Sequence, residues 1–426
     1  MRRVFSIQAQ HFSILKSQLL SLSGDFSHFQ FLDSNTYPNQ YSQYDWLCAF
    51  GKKDAISPLE NEFNELFKFH QKNKDWLFGH LNYNLKNSLE KLNSANPDLF
   101  EFSNLHFFIP QTVVFKKEGL VKVESWKFKD EDEFLLFLKR DNSPNDSVPE
   151  KQIQLQAQTS KSDYLKTIEN LKRELQYGNI YEINYCIEFA QNHRLNPLEV
   201  FQNLQKLSPT PFSSYYKNKD QYLICSSPER YLQKSGTKII SQPIKGTSKR
   251  SNHPEIDNYL KTELLNNEKE RSENVMIVDL VRNDLSRTAK KKSVKVEELF
   301  GIYSYPTVHQ MTSTISSEID PEKTPFTDVL KHSFPMGSMT GAPKIKAMQL
   351  IEEHENFSRS LYSGAIGYID PKGNFDFNVV IRSILYNAKT DYISARVGSA
   401  ITILSEAEKE YEECLLKAQK LFEALN

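Results

Sequence analysis

The sequence predicts an α+β fold, and three observations carry that prediction. Strand-like runs follow one another without intervening helices, helical periodicities come in separate blocks, and no repeat of fixed period appears. Aromatic-rich runs at 28–32, 45–50, 76–83 and 106–114, separated by turn residues, read as strands of an antiparallel sheet. The stretch Arg140 to Glu150 is polar, carries Pro144 and Pro149 and lacks any hydrophobic period, so it reads as a linker. It divides the chain into a strand-rich region, 1–150, and a second region, 151–426. In the second region Tyr164, Ile168, Leu171 and Leu175 recur at helical spacing over 163–177, and Gly178 supplies the stop. Strands are expected at 180–189, 222–226, 230–233 and 238–241, the last two joined around Ser235-Gly236. Helical patterns return at 263–280, 343–354 and 406–425.

A chain of 426 residues with 39% hydrophobic content buries a large core, which excludes a disordered protein. Its formal net charge of -1 supplies no general basic field for a polyanion, so nucleic acid is not an expected partner. No apolar run approaches the roughly 18 residues that span a bilayer, and the N-terminus lacks the apolar stretch of an export signal, so a cytoplasmic protein without membrane contact is expected. Cys48, Cys186, Cys225 and Cys414 are widely spaced and read as reduced thiols. The ten histidines form no H-E-x-x-H pair. Carboxylates would therefore hold any metal, which favours Mg²⁺.

Few motifs point to chemistry when taken singly. Lys245, in Pro243-Ile244-Lys245-Gly246-Thr247, stands between a strand end and a glycine turn, and its ordinary reading is a surface lysine. Sixteen positions earlier, Glu229 in Ser227-Pro228-Glu229-Arg230 reads by itself as a salt-bridge partner of Arg230 or a neighbour. Adjacent strands can bring such a carboxylate to such an amine, and a nucleophilic amine needs desolvation and a nearby base. Glu270 with Glu273, and Glu410 with Glu413, are i, i+3 pairs that place both carboxylates on one helix face. About seven such acidic pairs arise by chance in a chain of this composition, so solvated helix faces are the default reading. Gly337 to Lys344 superficially resembles a phosphate loop, but Pro343 lacks an N–H and Ile345 replaces the required hydroxyl; Pro343 instead starts a helix. Arg382, in an apolar run read as a strand over 378–384, requires a partner, either a structural carboxylate or an anionic ligand.

Together these residues are more specific. Residues from about 160 to 424 resemble the chorismate-utilising enzymes, the family of aminodeoxychorismate synthase component I, anthranilate synthase component I and the isochorismate and salicylate synthases. The resemblance lies in Gly178-Asn179-Ile180-Tyr181-Glu182-Ile183-Asn184, Ser227-Pro228-Glu229-Arg230, Pro243 to Thr247, Val278-Asp279-Leu280-Val281-Arg282-Asn283-Asp284-Leu285, Thr340 to Lys344, Tyr362-Ser363-Gly364-Ala365-Ile366-Gly367-Tyr368 and Glu410-Tyr411-Glu412-Glu413, in family order. It implies two packed antiparallel β-sheets with outer helices. A lysine at position 245 resembles the aminating branch, where anthranilate synthases typically carry alanine. Glu182 stands where isochorismate and salicylate synthases carry a lysine base.

The resemblance further implies chorismate as substrate, Mg²⁺ held among Glu270, Glu273, Glu410 and Glu413, and ammonia from a separate glutamine amidotransferase subunit. By the same resemblance Lys245 is the nucleophile, Glu229 the proton donor, His309 a histidine near the reacting ring carbon and Thr340 a pocket-lining residue. Tyr362 and Arg382 match residues that hold the enolpyruvyl carboxylate. Attack demands an uncharged amine, which burial favours and neighbouring carboxylates oppose. The family's glycine triplet before the last acidic helix is Gly398-Ser399-Ala400 here, so either the backbone there is ordinary or the pocket is reshaped. Competing expectations are anthranilate synthase component I and a non-catalytic chorismate-binding subunit.

Overall fold

Alternation of side chains along strands builds the core. In the computed structural model, which describes residues 2–37, 40–139, 152–305 and 308–426, strand His28–Asp33 sends Phe29 and Phe31 to one face and Gln30 to the other. Its neighbour Trp46–Ile56 likewise divides Cys48 and Phe50 from Leu47 and Ala49, so the two faces of one sheet feed two hydrophobic cores.

Every strand pairing is antiparallel, and among the described residues twenty strands form one hydrogen-bonded system. It has two arms that diverge from the long strand Leu105–Lys117. One arm runs through Trp46–Ile56, His28–Asp33, Phe212–Asn218, Gln221–Ser227, Ser383–Asn387 and Tyr392–Ile401 to Glu182–Asn192. The other runs through Leu77–Leu81, Ala365–Ile369, Phe375–Val379, Arg230–Ser235 and Lys238–Gln242 to Val308–Glu318. Residues of both arms, such as Tyr216 and Leu223 against Phe107 and Phe377, share one core. Helices Lys161–Gln176, Pro197–Leu207 and Ala407–Ala424 cover the outer face of the first arm. This is the expected α+β arrangement of antiparallel layers with outer helices. Strands from both sides of residue 150 pair directly, at His28–Asp33 with Phe212–Asn218 and Leu77–Leu81 with Ala365–Ile369.

Two expected elements differ. The helix read over 263–280 is two helices, Pro254–Asn266 and Glu268–Ser286, that meet at Asn267. An extended ψ of 112° ends the first, and the Asn267 side chain accepts a hydrogen bond from the Glu270 N–H to start the second, because asparagine satisfies an orphan amide better as a cap than inside a helix. The strand read over 378–384 is also interrupted. Phe375–Val379 and Ser383–Asn387 belong to different arms, and Arg382 turns the chain between them with φ +49°. The expected linker, Arg140 to Glu150, lies outside the described residues.

Candidate active site

Register brings the two chemical residues together. Strands Arg230–Ser235 and Lys238–Gln242 pair with Arg230 opposite Gln242, so Glu229 on one side abuts Pro243, Ile244 and Lys245 on the other. Arg230 spends its guanidinium on Asp376, at 2.9 and 3.0 Å, which releases Glu229 from the ion pair its sequence position suggests. Glu229 is 4% exposed and accepts a 2.6 Å hydrogen bond from the Ser338 hydroxyl. Burial pushes its carboxyl up to about 7, although Ser338 and Lys245 pull the other way.

Lys245 is 8% exposed, and its ammonium donates to Glu182 Oε1 at the start of strand Glu182–Asn192. Burial lowers its affinity for the proton, but Glu182, Glu273 and Glu229 together outweigh burial and hold it above its ordinary value. The resting amine is therefore charged. The uncharged amine demanded by attack is not the resting form.

The acidic pairs lie beside this lysine. Gly246, at φ +91°, passes so near helix Glu268–Ser286 that a Cβ there would stand 3.1 Å from Glu270 Oε2. Glu273 is buried, its Oε1 lacks a hydrogen-bond partner among the described residues, and burial pushes its carboxyl up to about 7. Lys269 reaches Glu410 at 3.2 Å and Glu273 at 3.8 Å, tying the two helices together. Glu413, on the exposed side, pairs with Lys417 at 2.6 Å. The donor set, all carboxylate with one buried oxygen unsatisfied, suits a hard cation such as Mg²⁺ in its chemistry. Two lysines serve as its counter-charge, and among the described residues no group of three or more His, Cys, Asp or Glu stands close enough to hold a metal.

The remaining expected residues divide. Among the described residues Arg382 makes no ion pair or side-chain hydrogen bond; Glu229 and Tyr305 are its electrostatic neighbours, and burial lowers its proton affinity. Tyr362 is buried with its hydroxyl 3.8 Å from Cys186 Sγ. Gly398 lies opposite Cys186 in strand Tyr392–Ile401, and a Cβ at 398 would stand 2.5 Å from that sulfur. Gly398, Ser399 and Ala400 all have ordinary strand backbone, with no positive φ. The parity of the strand sends Ser399 the other way from Gly398, to the Tyr164 hydroxyl at 3.1 Å. Its Cβ thus leaves the Gly398 face untouched. Thr340 is fully buried and turns its hydroxyl to the Met336 and Gly337 carbonyls, at 3.2 and 3.3 Å. His309 engages both ring nitrogens, with Ser304 at 2.8 Å and Asp257 at 3.1 Å, which ties it to helix Pro254–Asn266, and it lies opposite Ser248 in the strand that carries Lys245.

Sequence reasoning missed Glu182 as the partner of Lys245, Ser338 as the donor to Glu229, and Lys269 and Lys417 as counter-ions. Glu182 had a signal, an acid where relatives carry a base. Lys269 and Lys417 had one too, since each lies four residues along a helix from Glu273 or Glu413, whereas Ser338 had none, lying 109 residues from Glu229.

Residues 29–423 match the family model described as chorismate binding enzyme. The chain is 37% identical to a chloroplastic aminodeoxychorismate synthase of Arabidopsis thaliana over 68% of its own length and 31% of that protein's. It is 32% identical to anthranilate synthase component 1 of Aquifex aeolicus over 88% of its own length and 80% of that protein's. Anthranilate synthase component I from Streptococcus pneumoniae TIGR4 shares the fold, with a TM-score of 0.78 at 23% identity over 91% of this chain and 93% of that one. Among the described residues no helix is long and apolar enough to cross a membrane.

Proposed function

The chain belongs to the family of chorismate-binding enzymes, and on that premise we propose that it is an aminodeoxychorismate synthase component I, which joins ammonia to chorismate at ring carbon C4. One observation carries the reading: a buried lysine and a buried, protonatable glutamic acid meet across a strand register. In the proposed reaction the Lys245 amine bonds to C2 as the C4 oxygen leaves with a proton from Glu229. Ammonia then bonds to C4 and displaces the lysine. A carboxyl that titrates about 7 is matched to that donation at neutral pH.

Arg382, which makes no ion pair among the described residues, suits the bidentate capture of a substrate carboxylate. Tyr362 and Gly398, brought together at Cys186, are assigned to the same end of the substrate. Thr340 is assigned to the pocket wall, and His309, its ring held by Ser304 and Asp257, to the neighbourhood of the reacting ring carbon. Glu270, Glu273, Glu410 and Glu413 would hold Mg²⁺ once Lys269 and Lys417 give way, and the cation would offset repulsion between this acidic cleft and the dianionic substrate. Ammonia is assigned to a glutamine amidotransferase subunit.

Incubation with chorismate, Mg²⁺ and ammonium tests the reading. An aminated product that keeps its enolpyruvyl group is expected, and Lys245→Ala should abolish its formation while chorismate still binds. Anthranilate and pyruvate would instead establish the second reading, which the long match to the Aquifex anthranilate synthase favours.

A further inference from the structure

We propose that Glu182 is the base that frees Lys245 for attack, taking its proton at the start of the reaction and returning it at the end. This rests on the amination reading above. An ammonium has no lone pair, so the resting Lys245 cannot bond to carbon until some group removes a proton. Glu182 is placed for that step. Its Oε1 already accepts the Lys245 N–H, both side chains are shut away from solvent, and the proton passes along an existing hydrogen bond without a water.

Two further features of the pair separate a base from a mere counter-ion. The second oxygen, Glu182 Oε2, is buried without a hydrogen-bond partner among the described residues, whereas a carboxylate meant to stay ionised in a protein interior is normally surrounded by donors. Of the other acids facing Lys245, Glu229 takes the Ser338 hydroxyl and supplies the leaving group's proton; Glu273 also keeps a buried oxygen without a hydrogen bond, but it faces Lys269 at 3.8 Å, and among the described residues the Lys245 hydrogen bond goes to Glu182. Two carboxyls flank one amine, and their surroundings assign them opposite tasks.

The protons balance. Lys245 passes one to Glu182, and the neutral amine bonds to C2 while Glu229 protonates the departing C4 oxygen to water. Ammonia bonds to C4 and the lysine leaves as a neutral amine, which recovers its proton from Glu182. The new C4 ammonium returns one proton to Glu229, so every side chain ends as it began.

The test is Glu182→Gln, which keeps the size and a hydrogen-bond acceptor but not the basicity. Turnover should be followed across pH at a fixed concentration of free ammonia, with chorismate affinity measured separately. At neutral pH the variant should lose on the order of a hundred-fold in turnover, with chorismate affinity little changed. Its deficit should narrow by about ten-fold per pH unit as solvent takes over deprotonation of the lysine. Glu182→Asp, which keeps a carboxylate, should return the pH profile to the wild-type shape. Labelling of Lys245 by an amine-reactive reagent without substrate should titrate at lower pH in Glu182→Gln than in the wild type. A loss of equal size at every pH, or no loss, overturns the inference while leaving the amination reading intact. Full amination by Lys245→Ala would instead sink both.

Discussion

Replacing Glu229 by glutamine isolates what burial does to one carboxyl. The group titrates about 7 in the folded protein against 4.5 as its ordinary value, chiefly because burial disfavours the charge. Below 4.5 the acid is protonated in both folded and unfolded chains and folds without penalty. As pH rises the unfolded chain ionises first, stability is lost between 4.5 and about 7, and the loss levels off above. Linkage over that interval gives a penalty of about 1 kcal/mol at pH 5 and about 3 kcal/mol at pH 8. Glutamine removes the penalty and still accepts from Ser338 through its amide oxygen. For a chain of this size about 3 kcal/mol corresponds to a rise of about 3 °C in melting temperature. Calorimetry of wild type and Glu229→Gln at the two pH values should therefore show the variant more stable at pH 8, with a much smaller gain at pH 5, and inactive at both. Equal shifts at both pH values would refute the reasoning, because they would show no ionising carboxylate buried at 229.

Gly398→Ala should destabilise by about 1–3 kcal/mol through overpacking, since its Cβ would meet Cys186 Sγ at 2.5 Å and Asn184 Oδ1 at 2.7 Å; an unchanged melting temperature would show open space there. Arg359→Met should cost about 3–5 kcal/mol by leaving buried Glu355 without the guanidinium that meets it at 2.9 Å, and thermal unfolding reads it directly. The same arginine donates to the Met339 and Asn184 carbonyls at 2.6 and 2.7 Å, so a variant as stable as wild type would deny the network any weight. Glu273→Gln should weaken Mg²⁺ binding in titration calorimetry by at least about ten-fold, because it removes the charge of the buried acid with a spare oxygen; undiminished affinity would take Glu273 out of the metal site.

Much of the scaffold was legible in local patterns. The aromatic-rich run at 28–32 marked a strand, and Tyr164, Ile168, Leu171 and Leu175 marked a helix that does end ahead of Gly178, at φ +77°. Where local signals competed, the reading failed. Asn267 sat inside a helical period but caps a new helix, and Arg382 sat inside an apolar run but turns the chain between two arms. An apolar run does not say whether one strand or two contribute to it.

The sequence by itself determined which groups are available: the single lysine between a strand and a glycine turn, the acidic pairs one helical turn apart, and the ordered blocks that resemble one family. These are properties of neighbours along the chain. The tertiary structure alone decided what those groups are. Lys245 is a cation because Glu182, 63 residues away, and Glu273 and Glu229 converge on it. Ser399 is harmless to the Gly398 face because strand parity turns it towards Tyr164. Charge state and facing depend on fields and registers summed over residues distant in sequence, and only folding brings those residues within reach of each other.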